Sequence, residues 1–325
     1  MTKTLDVVGI CNALVDILVT VEDHDLKALE LTKGMMHLVD DARQAHVLNY
    51  FAGKPQVTEL GGSAMNAIRT LAQLGKKTAF AGMVGGDSFG ERIKSRMTQL
   101  GIKGFLGLGL EATGSCVILI TPDGERTMNT NLGASRLYGS AEVPHAEIKQ
   151  AQVLHFCGYQ WDTDAQKTAI KEAVATAKAA GTLVSFDVAD PFAIGRSHTD
   201  FLRVIAEDAD IVFANREEAI MLYGSTPEIA AAKIAATGAI AVIKLGAAGA
   251  LVQKGNEVFM IKPVATKVLD TTAAGDMFAA GFLYGYTSGK SLPVAGQMAA
   301  TVASDVISRV GATVSDAALA AVKQL

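Results

Sequence analysis

The chain has 325 residues, half of them apolar, and a net charge of −4 from 29 basic and 33 acidic side chains. That length accommodates one large α/β domain or two modest ones, and the apolar share supports a sizeable core. The charges are interspersed, with no basic block to neutralise phosphates, which excludes a nucleic-acid or membrane-surface protein. No stretch reaches the roughly 18 apolar residues of a membrane span, and the apolar run in MTKTLDVVGI is too short for a signal peptide. Cys11, Cys116 and Cys157 are odd in number and far apart, which points to buried thiols of a reducing, cytoplasmic compartment rather than a disulfide frame or zinc site.

In chain order, DVVGI (6–10) reads as a buried strand, and residues 11–45 follow it with ALVDILVTVED and MMHLVD. AMNAIRTLAQLG (64–75) has helical spacing, and TAFAGMVG (78–85) is the next buried strand. Residues 102–135 hold FLGLGL, SCVILITP and ERTMNTNL, which read as antiparallel strands with a turn at Pro122-Asp123-Gly124. Apolar runs at 152–158, 182–188, 210–215 and 239–246 then alternate with the helical AQKTAIKEAVATAKAAG and TPEIAAAKIAATG, both ending on glycine. Helices are predicted at 273–287, 293–309 and 315–323. The alternation predicts an α/β fold of three layers, α/β/α, around a mostly parallel sheet. The segments 11–45 and 102–135 are expected to combine as a small β-flap, or lid, over one edge. No linker, repeat or low-complexity tract divides residues 1–325, so one domain is expected.

Chemistry gathers at glycine-rich helix starts. In DTTAAGDMFAAG (270–281), Thr271 or Thr272 is a natural N-cap and Ala273, Ala274 and Gly275 form the first turn. Their amides lack helical partners, and small side chains let an anion approach. Asp276 then sits about one turn in, either as a general base beside the anion or as a plain complement to the helix dipole. GGSAMNAIRTLAQLG (61–75) opens another helix with Gly61, Gly62 and Ser63 and carries Asn66 on its first turn. GMVGGDSFGE (82–91) repeats the pattern at a strand end, where open α/β sheets bind ligands. GYTSGKS (285–291) is one residue short of a P-loop and follows a helix instead of a strand, so it is set aside; no GxGxxG follows the first strand.

These motifs, in this order, resemble the ribokinase-like (phosphofructokinase-B) carbohydrate kinases, whose signature D-T-x-G-A-G-D is similar to DTTAAGD. ANREEAIMLYG (214–224) supplies an N-x-x-E element at Asn215 and Glu218, and VIKLGAAGALV (242–252) a late glycine turn. Within the superfamily, GICNALVDILV (9–19), residues 113–135 and DVADPF (187–192) most resemble adenosine kinases. The resemblance implies transfer of the γ-phosphate of ATP to a primary hydroxyl, the 5′-OH of adenosine or a related nucleoside. A free-sugar kinase acting on ribose, fructose or a keto-deoxy sugar acid is the alternative, and a catalytically silent nucleoside-binding protein a remoter one.

By the same resemblance, Asn12 and Asp16 hold sugar hydroxyls with Gly61, Gly62 and Asn66. Asp276 is the base, the amides of Ala273, Ala274 and Gly275 form the anion hole, and Arg126 is a flap cation. ATP is placed against Asn215, Lys244, Gly246, Gly249 and Thr271, and Mg2+ near Asn215 and Glu218, through water. A monovalent cation such as K+ is a further candidate. Gly246 and Gly249 either admit the nucleotide or form a hairpin turn. Met36, Met128, Tyr159 and Trp161 either wall the substrate pocket or belong to the core. Two departures stand out: Ala273 replaces a family glycine, and Gly158-Tyr159-Gln160-Trp161 stands where adenosine kinases have paired aromatics. The expected partners are small molecules only, neither nucleic acid nor membrane, with the chain a monomer or a homodimer through the lid.

Overall fold

The computed structural model describes residues 3–325. Strands β1 (Leu5–Ile10), β2 (Leu14–Thr20), β3 (Met36–Leu38) and β4 (Val57–Gly61) occupy the first part of the chain with helices α1 (Asp23–Ala28) and α2 (Asp41–Tyr50). Next come α3 (Ser63–Gln73), β5 (Thr78–Gly85), α4 (Ser88–Gln99), β6 (Lys103–Gly109), β7 (Thr113–Ile120) and β8 (Arg126–Gly133). The central part alternates: α5 (His145–Gln150), β9 (Ala151–Cys157), α6 (Asp164–Ala179), β10 (Leu183–Asp187), α7 (Pro191–Glu207), β11 (Ile211–Asn215), α8 (Arg216–Tyr223), α9 (Pro227–Ala235) and β12 (Ile240–Lys244). The hairpin β13 (Ala250–Lys254) and β14 (Glu257–Ile261) precedes α10 (Ala274–Thr287), α11 (Leu292–Val306) and α12 (Asp316–Gln324).

Nine strands form the main sheet in the order β14-β13-β12-β11-β10-β9-β1-β5-β6. The seven from β12 to β6 are parallel, and β13 and β14 add an antiparallel edge. The central strands are apolar on both faces because helices cover both. Along β9, Leu154 and Phe156 join the core under α5 to α9, while Val153 and Cys157 join the core under α3, α4, α10 and α11. The same two-residue alternation runs along β11. Helix starts carry their caps: Asp87 accepts the Gly90 N–H at 2.9 Å and Thr163 the Gln166 N–H at 3.2 Å. The expected mostly parallel three-layer arrangement is what forms. The stretch 285–291 ends α10 and turns into α11, with no strand before it.

A second sheet, β3-β8-β7-β2-β4, lies over the main one. The hairpin of β7 and β8 turns at Pro122–Gly124, closed by Thr121 N–H to the Glu125 carbonyl at 3.0 Å. Two assignments differ from the sequence reading of the lid. Residues 103–109 are β6, parallel to β5 at the edge of the main sheet, because α4 returns the chain as a βαβ crossover. The lid instead recruits β4, antiparallel to β2. Its sequence, VTELG, is short and half polar, with Val57 exposed, so the apolar pattern does not reveal it. Among the described residues no helix is long and apolar enough to cross a membrane, and all three cysteines are buried as free thiols.

Candidate active site

The first turn of α10 lies at the carboxyl ends of the parallel strands, facing the first turn of α3. Ser63 Oγ donates to Asp276 Oδ1 at 2.7 Å, and Asn66 Nδ2 donates to Asp276 Oδ2 at 2.9 Å. Three residues apart, these donors share one face of α3. Burial raises the Asp276 pKa above the ordinary carboxylate range, and the bonds from Asn66 and Ser63 oppose that rise. The carboxyl group is thus held in place with raised basicity.

The helix start differs from the expectation in two ways. The N-cap is Ala273, in the left-handed region at φ 57° and ψ 12°, and not a threonine. Thr272 is unavailable because its N–H and hydroxyl both donate to Asp270, at 2.8 and 2.5 Å. Asp270 is fully buried and also accepts the Gly311 N–H at 2.8 Å, latching this loop to the segment after α11. The second difference concerns the amides. The Ala274 N–H donates to the Thr271 carbonyl at 3.3 Å, leaving Ala273, Gly275 and Asp276 as the amides without a protein acceptor. Of the three amides expected to face an anion, that of Ala274 is thus engaged, and that of Asp276 is free in its place.

A row of charges extends from this turn. Lys244, at the end of β12, approaches Asp187, at the end of β10, to 3.4 Å. A Cβ placed on Gly275 would lie 2.9 Å from Lys244 Nζ, so the ammonium sits directly beside the α10 amides. Burial by itself lowers the Lys244 pKa, but Asp187, Glu218 and Asp276 outweigh it and hold the group above its usual value. Glu218 is buried and closes a capping box with Asn215: its carboxylate accepts the Asn215 N–H at 2.7 Å and Nδ2 at 2.6 Å. Burial pushes its pKa up to about 8, against the pull of Lys244.

Across from Asp276, the lid contributes Asp16 from β2. It is 7% exposed, and burial raises its pKa to about 7, moderated by Arg69 and Arg126 and reinforced by Asp276 and Glu59. Gly61 makes this possible: a Cβ there would fall 2.1 Å from Asp16 Oδ1. Arg126, the first residue of β8, donates from Nε to Thr271 Oγ1 at 3.2 Å, so the lid already touches the loop before α10. Met36 and Met128 are neighbours across the β3–β8 pair.

Other expected residues turn elsewhere. Asn12 faces inward: its Oδ1 accepts from Gln160 at 2.9 Å and Gln166 at 2.8 Å, and its Nδ2 reaches the Tyr159 carbonyl at 3.4 Å. Its amide thus ties the end of β1 to the segment after β9. Asn66 donates its Nδ2 to Asp276 and accepts at its Oδ1 from Arg69 at 3.3 Å, so both ends of its amide are engaged. Gly62 is the N-cap of α3. Tyr159 remains at the site, its hydroxyl donating to Asp190 at 2.8 Å. Trp161 does not: it packs among Phe156, Phe186 and Phe201. Gly249, at φ 89°, is a hairpin requirement, since a Cβ would lie 2.0 Å from the Ile261 carbonyl oxygen. Gly246 faces open space. Asp187, Asp190, Asp270 and Arg69 also bond at or beside this cluster. Asp187 closes a strand and Asp190 opens a helix, positions readable from the sequence; Arg69 gives no such signal.

A helix start with unpaired amides beside a buried carboxylate and an ammonium is an arrangement suited to binding a phosphoryl group. The profile of the pfkB family carbohydrate kinases matches residues 36–318, and the chain belongs to that family. It is 35% identical to a probable sugar kinase of Rhizobium etli, with a TM-score of 0.94 over 100% of this chain and 99% of the other. It is also 35% identical to the adenosine kinase of Sinorhizobium meliloti, with a TM-score of 0.92 over 98% and 99%. A 5-dehydro-2-deoxygluconokinase of Listeria monocytogenes is 31% identical over 77% of this chain and 81% of its own. Enzymes of this family are sugar or nucleoside kinases that use ATP and Mg2+.

Two measurements probe the site. Ala273→Gly removes the left-handed cost of a Cβ and is expected to stabilise the chain by about 1 kcal/mol, raising Tm; a lower urea midpoint would mean the Ala273 methyl packs favourably. Asp16 binds its proton more tightly folded than unfolded, so its contribution to stability falls as pH rises from the ordinary carboxylate range to about 7. Asp16→Asn is therefore expected to raise Tm at pH 8 and to change it little at pH 4. Equal shifts at the two pH values would contradict that assignment.

Proposed function

We propose that this enzyme transfers the γ-phosphoryl group of ATP to the primary 5′-hydroxyl of adenosine or a closely related nucleoside. The observation that carries the reading is the convergence of Asp276, three unpaired α10 amides and Lys244 opposite the lid carboxylate Asp16. Asp16 accepts hydroxyls of the sugar and so orients its primary alcohol toward Asp276. Asp276 takes the alcohol proton on an oxygen lone pair that Ser63 and Asn66 leave free. As charge builds on the transferred group, the amides of Ala273, Gly275 and Asp276, with Lys244 beside them, stabilise it without reorganisation. Arg126 closes the same space from the lid and, with Met36 and Met128, excludes water.

The donor set also suits magnesium. Magnesium commonly keeps several waters and takes its other ligands from phosphates, so one or two carboxylates beside the phosphate site would serve it. When bound, it neutralises phosphate oxygens. Glu218 and Asn215 already hydrogen-bond each other, so their part is to orient its water shell, with Asp187 the nearby carboxylate. Tyr159 provides a ring beside the sugar site for a base, and the likeness to the Sinorhizobium adenosine kinase supports the nucleoside. A second reading, a free sugar or sugar acid as acceptor, is favoured by Trp161, whose burial leaves Tyr159 the single aromatic of its loop at the site.

ADP release measured across nucleosides, free sugars and keto-deoxy sugar acids decides between them. Adenosine is expected to give the highest kcat/KM, and turnover confined to free sugars would overturn the nucleoside reading. Asp276→Asn is expected to lower kcat by ~10²-fold or more with substrate binding retained; unchanged turnover would remove Asp276 from the mechanism.

A further inference from the structure

Behind β4, away from the site described above, lies a second cavity of about 370 Å³ between α3, α4 and the segment after α11. Three guanidinium groups line it: Arg69 from α3, and Arg92 and Arg96 one turn apart on α4. Like charges at that spacing repel, and nothing in the helix itself compensates them. Among the described residues, none of the three lies within ion-pair distance of a carboxylate. Arg92 donates to the Thr58 carbonyl at 2.5 Å and Arg96 to Gln99 at 3.2 Å. Arg69 is 6% exposed, and its nearest acceptors are the carbonyls of Ala312 and Leu60 and the amide oxygen of Asn66.

A guanidinium that far out of water needs a counter-charge. Glu59 is the single carboxylate lining the cavity, and its oxygens are taken by the Ala312 N–H at 2.9 Å and the Thr313 hydroxyl. Two positive charges remain in excess. α10 contributes no residue to the cavity, and Arg92 and Arg96 bond only to Thr58 and Gln99, so the reaction proposed above does not account for these two arginines.

We propose that this cavity is a binding site for a dianionic phosphomonoester, its phosphoryl group held by Arg69, Arg92 and Arg96. Arginine forks match tetrahedral oxyanions in geometry as well as charge, and a cavity of this volume holds an alcohol portion beside the phosphate. Arg69 lies one hydrogen bond from Asn66 and two from Asp276, so a ligand on Arg69 would be two and three bonds away.

Calorimetric titration of the full chain at constant ionic strength tests this, with inorganic phosphate and glycerol 3-phosphate as probes. Arg92 and Arg96 are exposed, so Arg92→Gln with Arg96→Gln is expected to keep the fold, checked by circular dichroism. In that double variant both probes are expected to bind at least ~10-fold more weakly, the scale of a lost charge-assisted hydrogen bond. Lys244→Met, which weakens anion binding at α10, is expected to leave the same component in place. An unchanged isotherm in the double variant, or loss of all binding in Lys244→Met, would overturn the assignment. Tighter binding of glycerol 3-phosphate than of phosphate is expected, and the reverse order would refute the phosphomonoester.

Discussion

Two helices that start at the carboxyl edge of the sheet are joined through one carboxylate. Ser63 and Asn66 on α3 hold Asp276 on α10, and nearly every other feature of the site follows from keeping that join. A buried acid must be hydrogen-bonded or neutralised. Here it is bonded by neutral donors, which fix its position without tying it to a permanent cation. Its nearest ammonium, Lys244, is instead shared with Asp187, so Asp276 feels positive charge without forming an ion pair of its own. That balance suits a group that has to accept a proton and then give it up.

The same economy of charge runs outward from Asp276. Asp187, Glu218 and Lys244 end or follow neighbouring strands, so the parallel sheet sets their spacing and the helices above exclude water from them. Burying three ionisable groups together is costly unless each satisfies another. Asn215 serves Glu218 on two sides, and Lys244 lies between the carboxylates. Asp270 plays the mechanical part, gripping Thr272 on one side and Gly311 on the other. It thereby imposes the left-handed turn at Ala273 that points the free amides into the cleft.

Much of the fold was legible in the sequence, because strands covered on both faces are continuous apolar runs and helices announce themselves by caps and glycine stops. The residues 78–85 and the run at 240–244 are examples. What escaped was structure without an apolar signature. β4 is a short polar strand held by its pairing with β2, and β6 was misplaced because its glycine-rich run does not show which sheet it pairs with. At the site, residues on helix starts were visible as motifs, whereas long-range partners were not. Asn12 looked like a ligand-facing acceptor, yet Gln160 and Gln166, some 150 positions away, claim its oxygen. Thr271 and Thr272 looked like caps until Asp270, a neighbour in sequence, engaged Thr272. Arg69 lies on an apolar helix face where nothing in the local pattern forecasts a buried cation.

The joint between the two sheets carries a last implication. β1 passes into β2 through Cys11, Asn12 and Ala13, each almost wholly inaccessible to solvent, and β4 passes into α3 through Gly62 alone. A lid fastened by connectors this short and this deep has no slack at its root. The opposite margin, where β3 pairs with β8 over three residues, is the loosely attached one. Any opening of the cleft is thus constrained at the root beside Asp16 and freer at the β3 margin.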